Sequence, residues 1–247
     1  MKLRPENSDI LQYDWRLDGE PARFSVDLSL YDGAPDAKYP ILAYVGCSSK
    51  KEGAQPGFLE KRRMDAFAAK CKKKLDLVPV GAIETGTIRQ YYFYLPSKPE
   101  YDALKQLCEA EKGFVCRAGG KKEEDWGTYF RILYPDAAKY QTVRNEEILA
   151  QHYDLGDSDA PRRLNLHIAF KSDPARNAFI EAARQKGFAV GEFEEFDDTD
   201  LSAGVVLHRI CALKKFDIDA LTVQVIRIAD EHEGRLLFWD CPIVPGR

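Results

Sequence analysis

Between Pro161 and Val244 the apolar positions change period in the order strand, helix, strand, strand, helix, strand. Leu164, Leu166, Ile168 and Phe170 alternate with Arg163, Asn165, His167 and Ala169, as in a strand with one buried face. Asp173-Pro174 predicts a helix start, with Phe179, Ile180 and Ala183 as its apolar stripe and Gly187 as its stop. Strands are predicted over 188–196 and 205–213. Asp217 then opens a helix whose Ile218, Leu221, Val225, Ile228 and Ala229 share a face, and 235–241 makes the last strand. This βαββαβ order predicts an α+β sandwich of ferredoxin type, with helices on one side of a sheet of order 4-1-3-2. The other sheet face is then left for a partner.

The first half is patterned similarly. Strands are predicted over 13–17 and 22–31 around the Asp18-Gly19 turn, and a third over 40–47. Residues 58–76 predict a helix with Met64, Phe67, Ala68, Cys71 and Leu75 inward. A hairpin follows over 78–84 and 88–95, and Ser97 to Glu100 has capping-box spacing at the start of a second helix. Strands over 114–117 and 126–134 are expected to close the half. From Tyr39 onward this is again βαββαβ, elaborated by two strands before it and one after. The expected organisation is an N-terminal α+β domain over 1–136, a connecting helix and turn-rich linker over 137–160, and a ferredoxin-like domain over 161–247.

Composition narrows the function classes. With 247 residues, 45% apolar and 31% charged, the chain has ample material for two cores. Its net charge of -4 argues against a dedicated nucleic-acid binder. No apolar run is long enough for a membrane helix and the N-terminus has no signal-peptide core, so a cytoplasmic protein is expected. The six cysteines lack CxxC spacing, which predicts reduced thiols. GxSxG, P-loop, GxGxxG, HExxH and CxxC motifs are all missing, so no enzyme, cofactor or metal site is predicted. Cys47 reads as a buried strand-end thiol, not a nucleophile. Asp14-Trp15 and Asp125-Trp126 read as packing anchors.

Short motifs add a resemblance. Residues 162–170 (RRLNLHIAF), 185–190 (QKGFAV), 207–210 (LHRI) and 234–240 (GRLLFWD) resemble the RraB family of bacterial regulators of ribonuclease E activity. Asp14-Trp15, the extended 22–30 segment and 81–85 before the Tyr-rich 89–95 resemble the bacterial domain of unknown function six-nine-five. The RraB resemblance implies a ferredoxin-like fold and a binding role without catalysis. Its usual Gly-x-Tyr-Asp-Gly-Trp-Glu ending is kept at Gly234, Trp239 and the acidic Asp240. Leu236, Leu237 and Phe238 depart from it, so contacts through those three positions are not carried over.

Two candidate surfaces follow. On the outer sheet face of the C-terminal domain, Asn165 and His167 are expected beside Val206, His208 and Ile210, with Leu237 and Trp239 nearby. Histidine and indole are residue types suited to anchoring a partner. Glu192, Glu194, Glu195, Asp197, Asp198 and Asp200 place six acids within nine residues, suited to a basic partner such as a ribonuclease, or to the basic helix over 58–76. A cytoplasmic protein-binding regulator is the leading expectation. The first alternative is single-stranded RNA binding through Arg62, Lys70 and Lys73 with Tyr92 and Tyr94 as stacking platform. The second is a hydrolase with an interdomain site.

Overall fold

The computed structural model describes residues 8–196 and 200–246. The chain divides into two compact units, Met1–Pro135 and Asp136–Arg247, and both are α+β.

In the first unit, β1 (Ile10–Leu17), β2 (Glu20–Asp27), β3 (Ile41–Ser48), β4 (Val78–Glu84), β5 (Ile88–Leu95) and β6 (Val115–Lys122) form one sheet of order β1-β2-β4-β5-β3-β6. The helices α1 (Phe58–Lys74) and α2 (Lys98–Ala110) are the two crossovers. Taken from β3 onward, the strand order is the expected 4-1-3-2, with β1 and β2 added beyond β4. Met64, Phe67 and Cys71 of α1 and Leu104 and Cys108 of α2 pack on Ala43, Val45, Cys47, Tyr91, Phe93 and Leu95. Cys47 is wholly buried in this layer.

Two sequence expectations fail in this unit. The second strand stops at Asp27, whose carboxylate accepts from the Ser29 backbone N–H and starts a 3-10 turn over Leu28–Gly33. The strand expected over 126–134 is helical, with a π-turn at Tyr129–Leu133. The reason lies just upstream. The buried Glu123 carboxylate accepts from the backbone N–H of Thr128 (2.9 Å) and from its hydroxyl (3.1 Å), which turns the chain into a helix. Trp126, Tyr129 and Leu133 then share one face and are fully buried. The segment is tied to the sheet by bonds from Trp126 Nε1 to the Tyr39 carbonyl, Tyr129 Oη to the Asp27 carbonyl, and Tyr13 Oη to the Leu133 carbonyl.

In the second unit, α3 (Ala137–Asp154) precedes β7 (Arg162–Phe170), α4 (Asp173–Gln185), β8 (Ala189–Glu195), β9 (Ala203–Cys211), α5 (Lys215–Asp230) and β10 (Gly234–Asp240). The sheet order β10-β7-β9-β8 is the predicted 4-1-3-2. The cap of α4 is Ser172, one residue before the expected Asp173. Leu149 of α3 joins Leu164, Leu166, Ile168, Phe179, Val205, Leu207, Val225 and Trp239 in one core. The helix expected as a connector therefore packs on this unit.

Its attachment is polar. Asn145 is fully buried, and its amide is used on all sides. Nδ2 donates to Asp219 Oδ1 and to Thr222 Oγ1, each at 2.9 Å. Oδ1 accepts from Trp239 Nε1 and Gln141 Nε2, each at 2.8 Å. One side chain thus joins α3, α5 and β10. Where α3 ends, the buried Asp157 takes bonds from Arg162 Nη1 (2.5 Å), His152 Nδ1 (2.6 Å) and the backbone N–H of Ser158 and Val244. Burial alone raises a carboxyl's pKa, but these donors outweigh it and hold the Asp157 carboxyl well below the usual carboxylate range.

Three outcomes are expected. Asn145→Ala strands the Trp239 indole N–H and the Gln141 amide N–H, removes one bond each from Thr222 and Asp219, and lowers the second unit's stability by about 3 kcal/mol in urea titration. Trp239→Phe, which removes one donor and keeps the ring, costs about 1 kcal/mol. Equal midpoints for wild type and Asn145→Ala would show that the network is not what holds α3. Because Asp157 titrates lower when folded than when unfolded, its contribution is present above the unfolded pKa of about 4 and is lost as pH falls below it. Acid titration of Asp157→Asn is therefore expected to show a shallower loss of stability than wild type in that range.

Candidate functional site on the open sheet face

Because successive side chains alternate, the helix-facing set of β7 leaves Arg163, Asn165 and His167 on the opposite side of the sheet. The register pairs Asn165 with His208 and His167 with Val206, so the two histidines stand on adjacent strands. Ile210 continues this face at 75% exposure. Arg163 and Arg235 stand at its two ends, both exposed.

The expected contribution of β10 is corrected. A register shift between Leu236 and Phe238 adds one residue to the strand. Past it the alternation reverses, so Trp239 enters the core at 3% exposure and Phe238, 42% exposed, takes the outer position. Leu237 is the extra residue. Trp239 is thereby removed from the partner-binding set. Phe238 replaces it, and its ring stacks on the His167 imidazole at 4.1 Å and 17°.

His167 ties the face together. Its Nε2 lies 2.8 Å from Asp240 Oδ2, and its Nδ1 lies 3.0 and 3.1 Å from the two oxygens of Glu194. Asp240 also accepts from Asn165 Nδ2 at 2.7 Å. Glu194 and Asp240 belong to the two outer strands, so the bridge spans the sheet. The irregular pairing between Val190 and Phe193 and the glycine at 204 let Glu194 reach across. A Cβ on Gly204 would sit 2.5 Å from the Phe196 ring and 2.9 Å from the Glu194 carbonyl. Gly191 is needed for the same reason, because a Cβ there would lie 2.1 Å from His208 Nε2. Burial first, and then the nearby Arg163, hold the His208 pKa below its ordinary value, which favours the neutral ring. Its Nδ1 and the Asn165 Oδ1 are buried polar atoms with no protein partner.

The acids do not act as one loop. Glu194 is committed to His167, while Glu192, Glu195 and Asp200 are exposed. Asp197 and Asp198 lie outside the described residues. Glu194 thus joins two features that the sequence presents separately.

The residues singled out for RNA divide. Arg62, Lys70 and Lys73 are exposed on α1. Tyr92 and Tyr94 are buried at 9% and 0%, so the stacking platform expected of them is a correction. Tyr94 lies flat on Trp126 at 4.1 Å and donates to Glu123 at 2.5 Å. Burial pushes the Tyr92 phenol up to about 12. The helical 126–133 segment covers Tyr94's side of the sheet, which a strand there would have left open. Among the described residues, no group of three or more His, Cys, Asp or Glu side chains is placed to hold a metal ion. Nor is any helix among them long and apolar enough to cross a membrane.

Comparison with known proteins agrees with the division into two units. No curated protein matches the chain. A solved crystal structure, that of an unknown protein from Galdieria sulphuraria, aligns over 83% of this chain and 98% of that one at 11% identity. The TM-score is 0.23. Residues 12–134, from β1 to the end of the helical segment, match the family of unknown function DUF695. Residues 142–241, from within α3 to just past β10, match RraB, described as regulator of ribonuclease activity B. In family terms, the chain is a segment matching DUF695 followed by one matching RraB.

Proposed function

We propose that this protein is a non-catalytic, protein-binding regulator of an RNA-processing enzyme, with the outer sheet face of the second unit as its docking surface. The observation that carries this reading is the bridge made by His167 between Glu194 and Asp240, flanked by the exposed Phe238 and Ile210. Carboxylates at the centre complement a basic partner, and two apolar side chains supply the desolvated contact that charges alone do not. A face pre-arranged by cross-strand bonds also loses little side-chain freedom on binding. The match of this segment to regulators of ribonuclease activity supports a ribonuclease as the partner class.

A cytoplasmic setting belongs to the same reading, as does the use of Asn165, His208, Glu192, Glu195 and Asp200 around the central bridge.

The test is affinity capture from the source cell with wild type and two variants, Glu194→Lys with Asp240→Lys, and Ile210→Glu with Phe238→Ala. The captured fraction is then assayed for RNA cleavage with and without added protein. Wild type is expected to retain a basic RNA-processing protein and change its cleavage rate. Each variant is expected to lose most of that capture, the first because it sets like charges against a basic partner and the second because it removes the apolar contacts. Unchanged partners and unchanged cleavage rates for both variants would rule out this face.

A further inference from the structure

The helix α1 carries a feature that the proposed docking face leaves unused. At about 100° per residue, Arg62, Arg63, Lys70, Lys73 and Lys74 fall within an arc of about 120°, over a length of about 18 Å. All five are exposed, and among the described residues none has a carboxylate within ion-pair distance. The acids of the helix are already engaged. Glu60 holds Ser49 Oγ and the Gly57 N–H, and Asp65 pairs with Arg89. Lys61, off this stripe, pairs with Glu84. From Lys50 to Lys74 there are nine lysines and arginines against three acids in a chain of net charge -4, so the positive charge is concentrated at this one place.

One turn before Arg62, about 40° outside this arc, stands Phe58. Its ring is 74% exposed, with the Arg62 guanidinium 5.9 Å from its centroid. Leu59 beside it is 66% exposed. An uncovered aromatic ring next to a row of unpaired cations is the set single-stranded nucleic acid uses, one part for base faces and the other for phosphates. We infer that α1 binds single-stranded RNA, with a base stacked on Phe58 and the backbone running along Arg62, Arg63, Lys70, Lys73 and Lys74. An acidic protein fits less well. The middle of the stripe offers only Ala66 as an apolar contact, and lysine is depleted in protein interface cores. Duplex RNA would meet the cations and leave Phe58 without a free base.

The experiment is fluorescence anisotropy on the full chain with a short labelled oligouridylate, with the same-length RNA duplex and polyglutamate as competitors, across a salt series. The variant Arg62→Glu, Lys70→Glu, Lys73→Glu is expected to bind at least about ten-fold more weakly, with the log-log salt slope reduced by about 2. The neutral counterpart with Gln at the three positions should fall between it and wild type. Phe58→Ala should cost about five-fold or more and leave the salt slope unchanged. His167→Ala should bind RNA as wild type does, so this inference and the docking face stand or fall separately. Wild-type affinity in both charge variants would overturn the inference. So would duplex displacing the probe better than unlabelled single strand. Polyglutamate competing as well as RNA, with Phe58→Ala silent, would assign the stripe to an acidic protein instead.

Discussion

The fully bonded amide of Asn145 is the constraint from which the second unit's open face follows. A buried amide left unpaired would be costly, and here both hydrogens and both lone pairs find partners on α3, α5 and β10. Because one of those partners is the Trp239 indole, the end of β10 has its side assignment settled. Tryptophan goes in, so its neighbours Phe238 and Asp240 go out. Those two supply the ring stacked on His167 and the carboxylate on its Nε2. A polar contact on the helix side of the sheet thereby determines what chemistry appears on the other side.

The two units use one strand order with different coverings. In the first, β1 and β2 widen the sheet, and the 126–133 segment lies against the face away from α1 and α2. The strand β5 is then buried on both faces, which is why Tyr91, Tyr92, Phe93 and Tyr94 form an unbroken aromatic run. In the second unit the three helices share one side, and Arg163, Asn165, His167, His208 and Asp240 stand on the other. The same topology therefore yields an aromatic core in one unit and an exposed face in the other.

Charge is distributed to match. The second unit gathers carboxylates around a histidine on its open face, while the first carries five exposed cations without an ion pair among the described residues on one stripe of α1. The two are chemically opposite and rest on different elements.

How much of this was legible in the chain follows from the range of each interaction. Alternation along 163–170 and 205–213 is local, and it sufficed for the strands and for placing His167 beside His208 on one face, while the 4-1-3-2 order followed from the ferredoxin-type succession of elements. The helices α1, α2, α4 and α5 were equally readable from their apolar stripes. What failed depended on groups that meet only in the folded chain. The side on which Trp239 points was decided by the irregularity before Phe238 and by Asn145, far away in sequence. The helical turn over 126–133 was decided by the Glu123 carboxylate, a capping signal hidden by an apparently alternating run. Glu194 reads as one acid among six, and only the missing Cβ at Gly204 lets it approach His167. Phe58 reads as an ordinary first helical residue, and only the folded surface leaves its ring uncovered. Periodicity, a property of neighbours in sequence, determined the elements and their order. Long-range hydrogen bonds and close approaches decided which side chains emerged as a site.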